Sequence, residues 1–170
     1  MAEAVDLAML PPATRLSVRA GPNAAVLLGD AFGLPFPKEA CRANTNGARS
    51  ALWLGPDEWL LLAPDGEMPA LGTWMTDALA GQAASIVDVS DRNVAVEAKG
   101  RKAAEALNAF NPLDLDIKSF PVGMCTRTIF GKAEIVLWRT ATETFRIEVW
   151  RSFLPYLLGS LAEATKEYQQ

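Results

Sequence analysis

Leu16, Val18 and Ala20 alternate with Ser17 and Arg19, the period of a half-buried strand, and the run stops at the turn Gly21-Pro22. Ala24, Leu27, Leu28 and Ala31 then recur at helical spacing until Gly33 and Pro35 end the helix. Phe36 to Gly47 reads as a loop by composition. Ala48 to Leu54 and Glu58 to Leu62 flank Gly55-Pro56-Asp57, the pattern of two antiparallel strands joined by a tight turn. Leu71, Trp74, Met75 and Leu79 supply the apolar face of a closing helix.

The same order returns further on. Ile86 to Val89 is a short apolar strand, Asp91 to Asn93 turns, and Val94, Val96 and Ala98 alternate. Arg101 to Phe110 is helical and Asn111-Pro112 stops it. Cys125 to Phe130, Ala133 to Arg139 and Thr144 to Trp150 form a three-strand meander, turned at Gly131-Lys132 and Thr140-Ala141-Thr142. Leu154 to Lys166 closes the chain as a helix with Leu157, Leu158 and Leu161 on one stripe.

Behind this recurrence lies a repeat. Gly21 and Gly100, Ala24 and Ala103, and Ala25 and Ala104 share an offset of 79, and Asp30-Ala31-Phe32 answers Asn108-Ala109-Phe110 nearly in register. Each copy runs strand, helix, strands, helix. Two such split βαβ units pack most economically as antiparallel sheets with helices on one face. The expected class is therefore α+β, duplicated and ferredoxin-like. Residues 1–14 form an irregular lead-in past Pro11-Pro12, residues 15–83 the first half and residues 84–170 the second half of one pseudo-symmetric domain.

Half of the 170 residues are hydrophobic, ample for a packed interior. A net charge of -4 with no extended basic run argues against nucleic acid as partner. No apolar run approaches a bilayer span, and the acidic start with Glu3 and Asp6 does not resemble a secretory leader, so the expected location is cytoplasmic and no membrane partner is expected. The chain has no histidine. That removes the usual general base near neutral pH, the usual partner of a nucleophilic Ser or Cys, and the commonest transition-metal ligand. Cys41 and Cys125 cannot make a tetrahedral site by themselves, and no Gly-rich phosphate loop is present. Neither a catalytic residue nor a metal ligand is expected.

What polar chemistry remains is concentrated in Asp88-Val89-Ser90-Asp91-Arg92. It reads either as a small site that orients a polar ligand or as a strand end whose side chains satisfy loop amides. Lys99-Gly100-Arg101-Lys102 is the one basic cluster, placed where a helix begins and reading as an anion site or a solvated loop. Cys125, at the start of a strand, reads as a buried thiol without a role. Five of the 14 aromatic rings are tryptophans, and Trp53 and Trp59 flank one turn, where they serve either as core fillers or as anchors for a partner protein.

Three strings, taken in order, point to a family. Leu54-Gly55-Pro56-Asp57-Glu58-Trp59-Leu60-Leu61, Asp88-Val89-Ser90-Asp91-Arg92, and Phe120-Pro121-Val122-Gly123 followed by Cys125-Thr126-Arg127-Thr128 resemble the gamma subunits of bacterial heterotetrameric sarcosine oxidases. That family is similar in turn to the glycine cleavage T protein, an aminomethyltransferase, and to its folate-binding domain. Asp88-Val89-Ser90 through Val96, Gly100 and Leu107 follow the opening of the T protein pattern. The acidic pair of that pattern is reduced here to Glu134, and the place of its asparagine falls near Trp150.

The resemblance implies a subunit of an assembly that oxidatively demethylates sarcosine to glycine. Its partners would be alpha, beta and delta subunits, which hold FAD, FMN, NAD and tetrahydrofolate, while the gamma chain binds no cofactor and stabilises the flavin-bearing subunits. The alternative is a free-standing folate-binding or aminomethyl-transferring protein. That alternative expects a polar pocket built from Asp88, Arg92, Glu134 and Arg151; the subunit reading expects partner contacts at Trp53 and Trp59.

Overall fold

The computed structural model describes residues 4–168. The first described element is a four-residue strand, β1 (Asp6–Met9), and the chain divides into two compact units. One is Pro12–Asp91; the other joins the segment up to Pro11 with the chain from Arg92 onward.

The Pro12–Asp91 unit contains β2 (Ala13–Ala20), α1 (Pro22–Phe32), β3 (Ala43–Asn46), β4 (Arg49–Gly55), β5 (Glu58–Pro64), α2 (Met68–Ala78) and β6 (Ala84–Asp88). Its sheet runs β3-β4-β5-β2-β6, antiparallel throughout. β2 and β4 are thus joined through α1 with β5 inserted between them, which is the split βαβ arrangement. Leu16, Val18, Ala51 and Leu61 face Leu28 and Phe32 of α1 and Leu71 and Met75 of α2 in one apolar core. Leu52, Leu60 and Leu62, on the opposite face of the sheet, are buried as well, which is why β5 reads as an unbroken apolar run.

The other unit contains β7 (Asn93–Lys99), α3 (Ala103–Asn108), β8 (Cys125–Phe130), β9 (Ala133–Ala141), β10 (Thr144–Trp150) and α4 (Leu154–Thr165), with β1 added. Its sheet runs β1-β7-β10-β9-β8, again antiparallel. Val96, Ala98, Ile135, Leu137 and Ile147 pack with Leu107 of α3 and Leu157 and Leu161 of α4. The two units therefore share one strand plan: β7 stands where β2 stands, β10 where β5 stands, β9 where β4 stands, and β8 is an added edge like β3. In the last position β1 takes the place of β6.

The expected class, α+β with two duplicated antiparallel sheets and helices on one face of each, is the one found. Its boundaries shift. Residues 1–14 are not merely an irregular lead-in, because Asp6–Met9 pair with β7 from Asp6↔Lys99 to Met9↔Val96, and β2 already begins at Ala13. Residues 84–88 belong with the first unit, not the second half, because β6 pairs with β2 from Leu16↔Asp88 to Ala20↔Ala84. Part of the loop expected over Phe36 to Gly47 is the edge strand β3. Trp74 and Leu158 leave their expected apolar stripes for solvent, at 52% and 37% exposure. No helix among the described residues is long and apolar enough to cross a membrane.

Candidate functional site

Local bonds already occupy the polar residues singled out from the sequence. The Asp88 carboxylate accepts hydrogen bonds from the Ser90 amide at 2.9 Å and the Ser90 hydroxyl at 2.6 Å, closing a turn after β6. Ser90 Oγ also accepts from the Arg15 amide at 2.9 Å, so this motif fastens the end of β6 to β2. Arg92 lies in the other unit. Its guanidinium sits 5.3 Å from the centre of the Trp150 ring and donates to Asn93 Oδ1, and its carbonyl accepts from the Arg151 amide at 2.7 Å. Glu134 lies near Arg127 at 3.8 Å, with its side chain 60% exposed. Of the four, the structure joins Arg92 to Arg151 through the backbone, and it turns Asp88 and Glu134 to neighbours of their own.

The basic cluster is a docking point for the chain itself. The Lys102 amide donates to the Ala4 carbonyl at 3.0 Å, and Lys102 Nζ pairs with Glu105 at 2.7 Å. Neither cysteine is in a disulfide, and Cys125 is buried as expected.

A cavity of about 620 Å³ opens elsewhere, wholly within the Pro12–Asp91 unit. Pro22, Ala25 and Val26 of α1 form one wall, Pro35 and Phe36 of the following connection a second, and Trp53, Pro56 and Trp59 of the β4–β5 hairpin a third. Asp30 and Lys38, both exposed, stand among the lining residues. None of Asp88, Arg92, Glu134 and Arg151 lines it.

Sequence-local choices set this geometry. α1 ends in the left-handed Gly33 (φ 78), and the Leu34 amide returns to the Gly29 carbonyl at 3.0 Å. The chain then passes so close to Gly29 that an added Cβ would lie 3.2 Å from the Leu34 carbonyl oxygen. Asn44 and Asn46 on β3 donate to the Pro35 and Gly33 carbonyls at 2.8 and 3.2 Å, clamping the connection from outside. Arg49 donates to the Phe32 carbonyl at 2.6 Å and pairs with Glu67 at 2.7 Å, tying the end of α1 to the start of α2. Trp53 and Trp59 are direct cross-strand partners on the helix-covered face. Trp59 is buried, donates its indole N–H to the Pro37 carbonyl at 2.9 Å, and packs 5.3 Å from Phe36, ring centre to ring centre. Its one polar atom is spent on the wall, so the ring offers the cavity an apolar surface. The tryptophan pair was legible in the sequence; the wall from Pro35 to Lys38 was not, because loop composition does not tell which way a loop folds.

The fold is a duplicated split βαβ body, with two antiparallel sheets of one strand plan. The chain is similar to the glycine cleavage system aminomethyltransferase T from Bartonella henselae, with a TM-score of 0.72 over 94% of this chain and 46% of that one at 14% identity, a likeness of fold alone. Residues 17–167 match the family described as sarcosine oxidase, gamma subunit, and the chain belongs to that family. It is 31% identical over 169 residues to the sarcosine oxidase subunit gamma of Corynebacterium sp. strain U-96, covering 97% of this chain and 81% of that one. A solved chain of the heterotetrameric sarcosine oxidase from the same strain, in complex with pyrrole 2-carboxylate, superposes with a TM-score of 0.92 at 29% identity, over 100% of this chain and 88% of that one.

Proposed function

We propose that this protein is a non-catalytic structural subunit of a cytoplasmic heterotetrameric sarcosine oxidase, and that it stabilises the flavin-bearing subunits by burying surface against them. Its partners are the alpha, beta and delta chains, and FAD, FMN, NAD and tetrahydrofolate are held by those chains. The observation that carries this reading is the family match over residues 17–167 together with superposition on a chain of such an oxidase at a TM-score of 0.92. The local engagement of the candidate polar residues supports it further. Asp88 is bound to Ser90, Arg92 lies over Trp150 and Glu134 lies near Arg127, while the cavity is walled by prolines and aromatic rings. Such walls suit packing against another surface better than proton transfer.

Co-expression with the three larger and smaller companion chains, followed by size-exclusion chromatography, tests the reading. One co-eluting assembly is expected, and flavin retention by that assembly is expected to fall when this chain is omitted. A chain that elutes alone beside a complete, flavin-loaded oxidase would refute it. Titration of the isolated chain with a reduced folate is expected to give no heat at millimolar ligand; saturable binding would favour the folate-binding alternative.

A further inference from the structure

The tip of the β3–β4 hairpin carries an Asn-Gly pair. Asn23, Asn44, Asn93, Asn108 and Asn111 are followed by Ala, Thr, Val, Ala and Pro, and of the six asparagines only Asn46 precedes a glycine. The hairpin turns through Gly47 and Ala48, with Gly47 in the left-handed region at φ 59. Residues 45–48 are exposed, and open space lies where a Cβ of Gly47 would go. The last ladder pair is Asn46↔Arg49, so the Gly47 nitrogen lies past the ladder and the ladder does not hold its N–H.

A main-chain nitrogen can attack the side-chain carbonyl of the asparagine before it, and a side chain on the attacking residue obstructs the approach. Gly47 has none. We propose that Asn46 is a site of spontaneous covalent modification: the Gly47 nitrogen bonds to Asn46 Cγ, Nδ2 leaves as ammonia with the Gly47 amide proton, and water opens the cyclic imide at either carbonyl, leaving aspartate or isoaspartate at position 46. Nothing is oxidised or reduced, and water is the co-reactant. The attack requires the Asn46 amide to leave the Gly33 carbonyl, which it meets at 3.2 Å on the surface. One exposed hydrogen bond of that kind slows the step by about tenfold at most.

The product matters because Asn46 clamps the connection that follows α1. A carboxylate cannot donate to the Gly33 carbonyl and sets oxygen against oxygen there. Isoaspartate also adds a methylene to the main chain opposite Arg49, whose guanidinium donates to the Phe32 carbonyl and pairs with Glu67. Modification therefore loosens the 33–42 connection, the segment whose Pro35 and Phe36 wall the cavity.

Ageing the full-length chain in warm, mildly alkaline buffer and mapping it with trypsin tests this, because cleavage after Arg42 and Arg49 isolates residues 43–49. A free peptide of that sequence, aged alongside, is the unstructured standard. Conversion at position 46 of the folded chain is expected within about tenfold of the peptide rate and ahead of every other asparagine. Asn46→Gln should leave the position unconverted. Asn46→Asp should exchange its amides over residues 33–42 faster than the parent, with the β7–β10 ladder unchanged. Conversion slower than that limit, or earlier at another asparagine, overturns the site. Conversion with no faster exchange over 33–42, in the aged chain or in Asn46→Asp, overturns the loosening.

Discussion

Gly21 and Gly100 hold equivalent places, each between the first strand of a unit and its first helix, but the structure uses them differently. Gly21 has φ -70 and open space where a Cβ would go. Gly100 has φ +138, and a Cβ there would lie 2.3 Å from the Ala4 carbonyl oxygen. Gly21→Ala is therefore expected to change stability by less than about 0.5 kcal/mol. Gly100→Ala should cost on the order of 1–3 kcal/mol from backbone strain and lift the segment before β1. Urea denaturation of the two variants separates them, and equal losses would contradict the crossing at Ala4. Arg139 is a second residue whose role only tertiary structure shows. It is 4% exposed, donates to the carbonyls of Leu115, Phe120 and Thr142, and lies 4.7 Å from the Phe145 ring centre. Burial pulls its guanidinium below the ordinary value, and Asp116 acts in the opposite sense. Arg139→Met keeps the bulk and strips three carbonyls of their donor, so a loss of about 1–3 kcal/mol in urea denaturation is expected. Arg139→Lys should recover little, because one ammonium cannot reproduce the fork.

At the scale of elements, the connection between α3 and β8 is held by its own acids. The Asp114 carboxylate accepts from the Ser119 hydroxyl at 2.6 Å and the Asp116 amide at 3.0 Å, and these bonds, the Ser119 one foremost, hold its pKa below the usual 3.8. A depressed carboxyl stabilises the folded loop above the unfolded value and loses that contribution as pH falls through the folded one. The Ser119 and Asp116 amide resonances should therefore titrate together below the ordinary aspartate range, and Asp114→Ala should abolish the inflection. An inflection at the ordinary value would remove the bonds from the account. Sequence legibility follows the same local logic. Strands such as β2 and β10 announced themselves because apolar side chains repeat at period two and pack under helices, and β5 because its apolar run is unbroken. β3 did not: its Ala43-Asn44-Thr45-Asn46 carries no apolar alternation, and two of its side chains bond to loop carbonyls. β1 was hidden for another reason, since its partner β7 lies far along the chain and β1 itself is largely exposed. β6 was given to the wrong copy because neighbours in sequence were read as neighbours in the sheet.

Across the whole molecule, the repeat in sequence becomes two sheets of one strand plan, and the exception explains itself. The first copy supplies its last strand, β6, after α2; among the described residues no strand follows α4, and β1 fills that position. The candidate site was half legible on the same terms. Trp53 and Trp59 could be read from their places beside Gly55-Pro56-Asp57, whereas the cavity they share with Pro35, Phe36 and Lys38 exists only once the connection folds back over α1. If β1 is the displaced last strand of the second copy, its position in the chain order should not matter. Removing residues 4–11 leaves β7 without its outer neighbour and takes away buried Val5, so the truncated chain should lose amide protection along β7 and its cooperative melt. Moving the same residues behind Tyr168, through a linker copied from the Leu79–Ala83 stretch that joins α2 to β6, should restore both, since permutation at a surface connection preserves every sheet contact. Hydrogen exchange on the parent, the truncation and the permutant decides the matter. A permutant that stays as unprotected as the truncation would show that β1 and β6 are not equivalent strands.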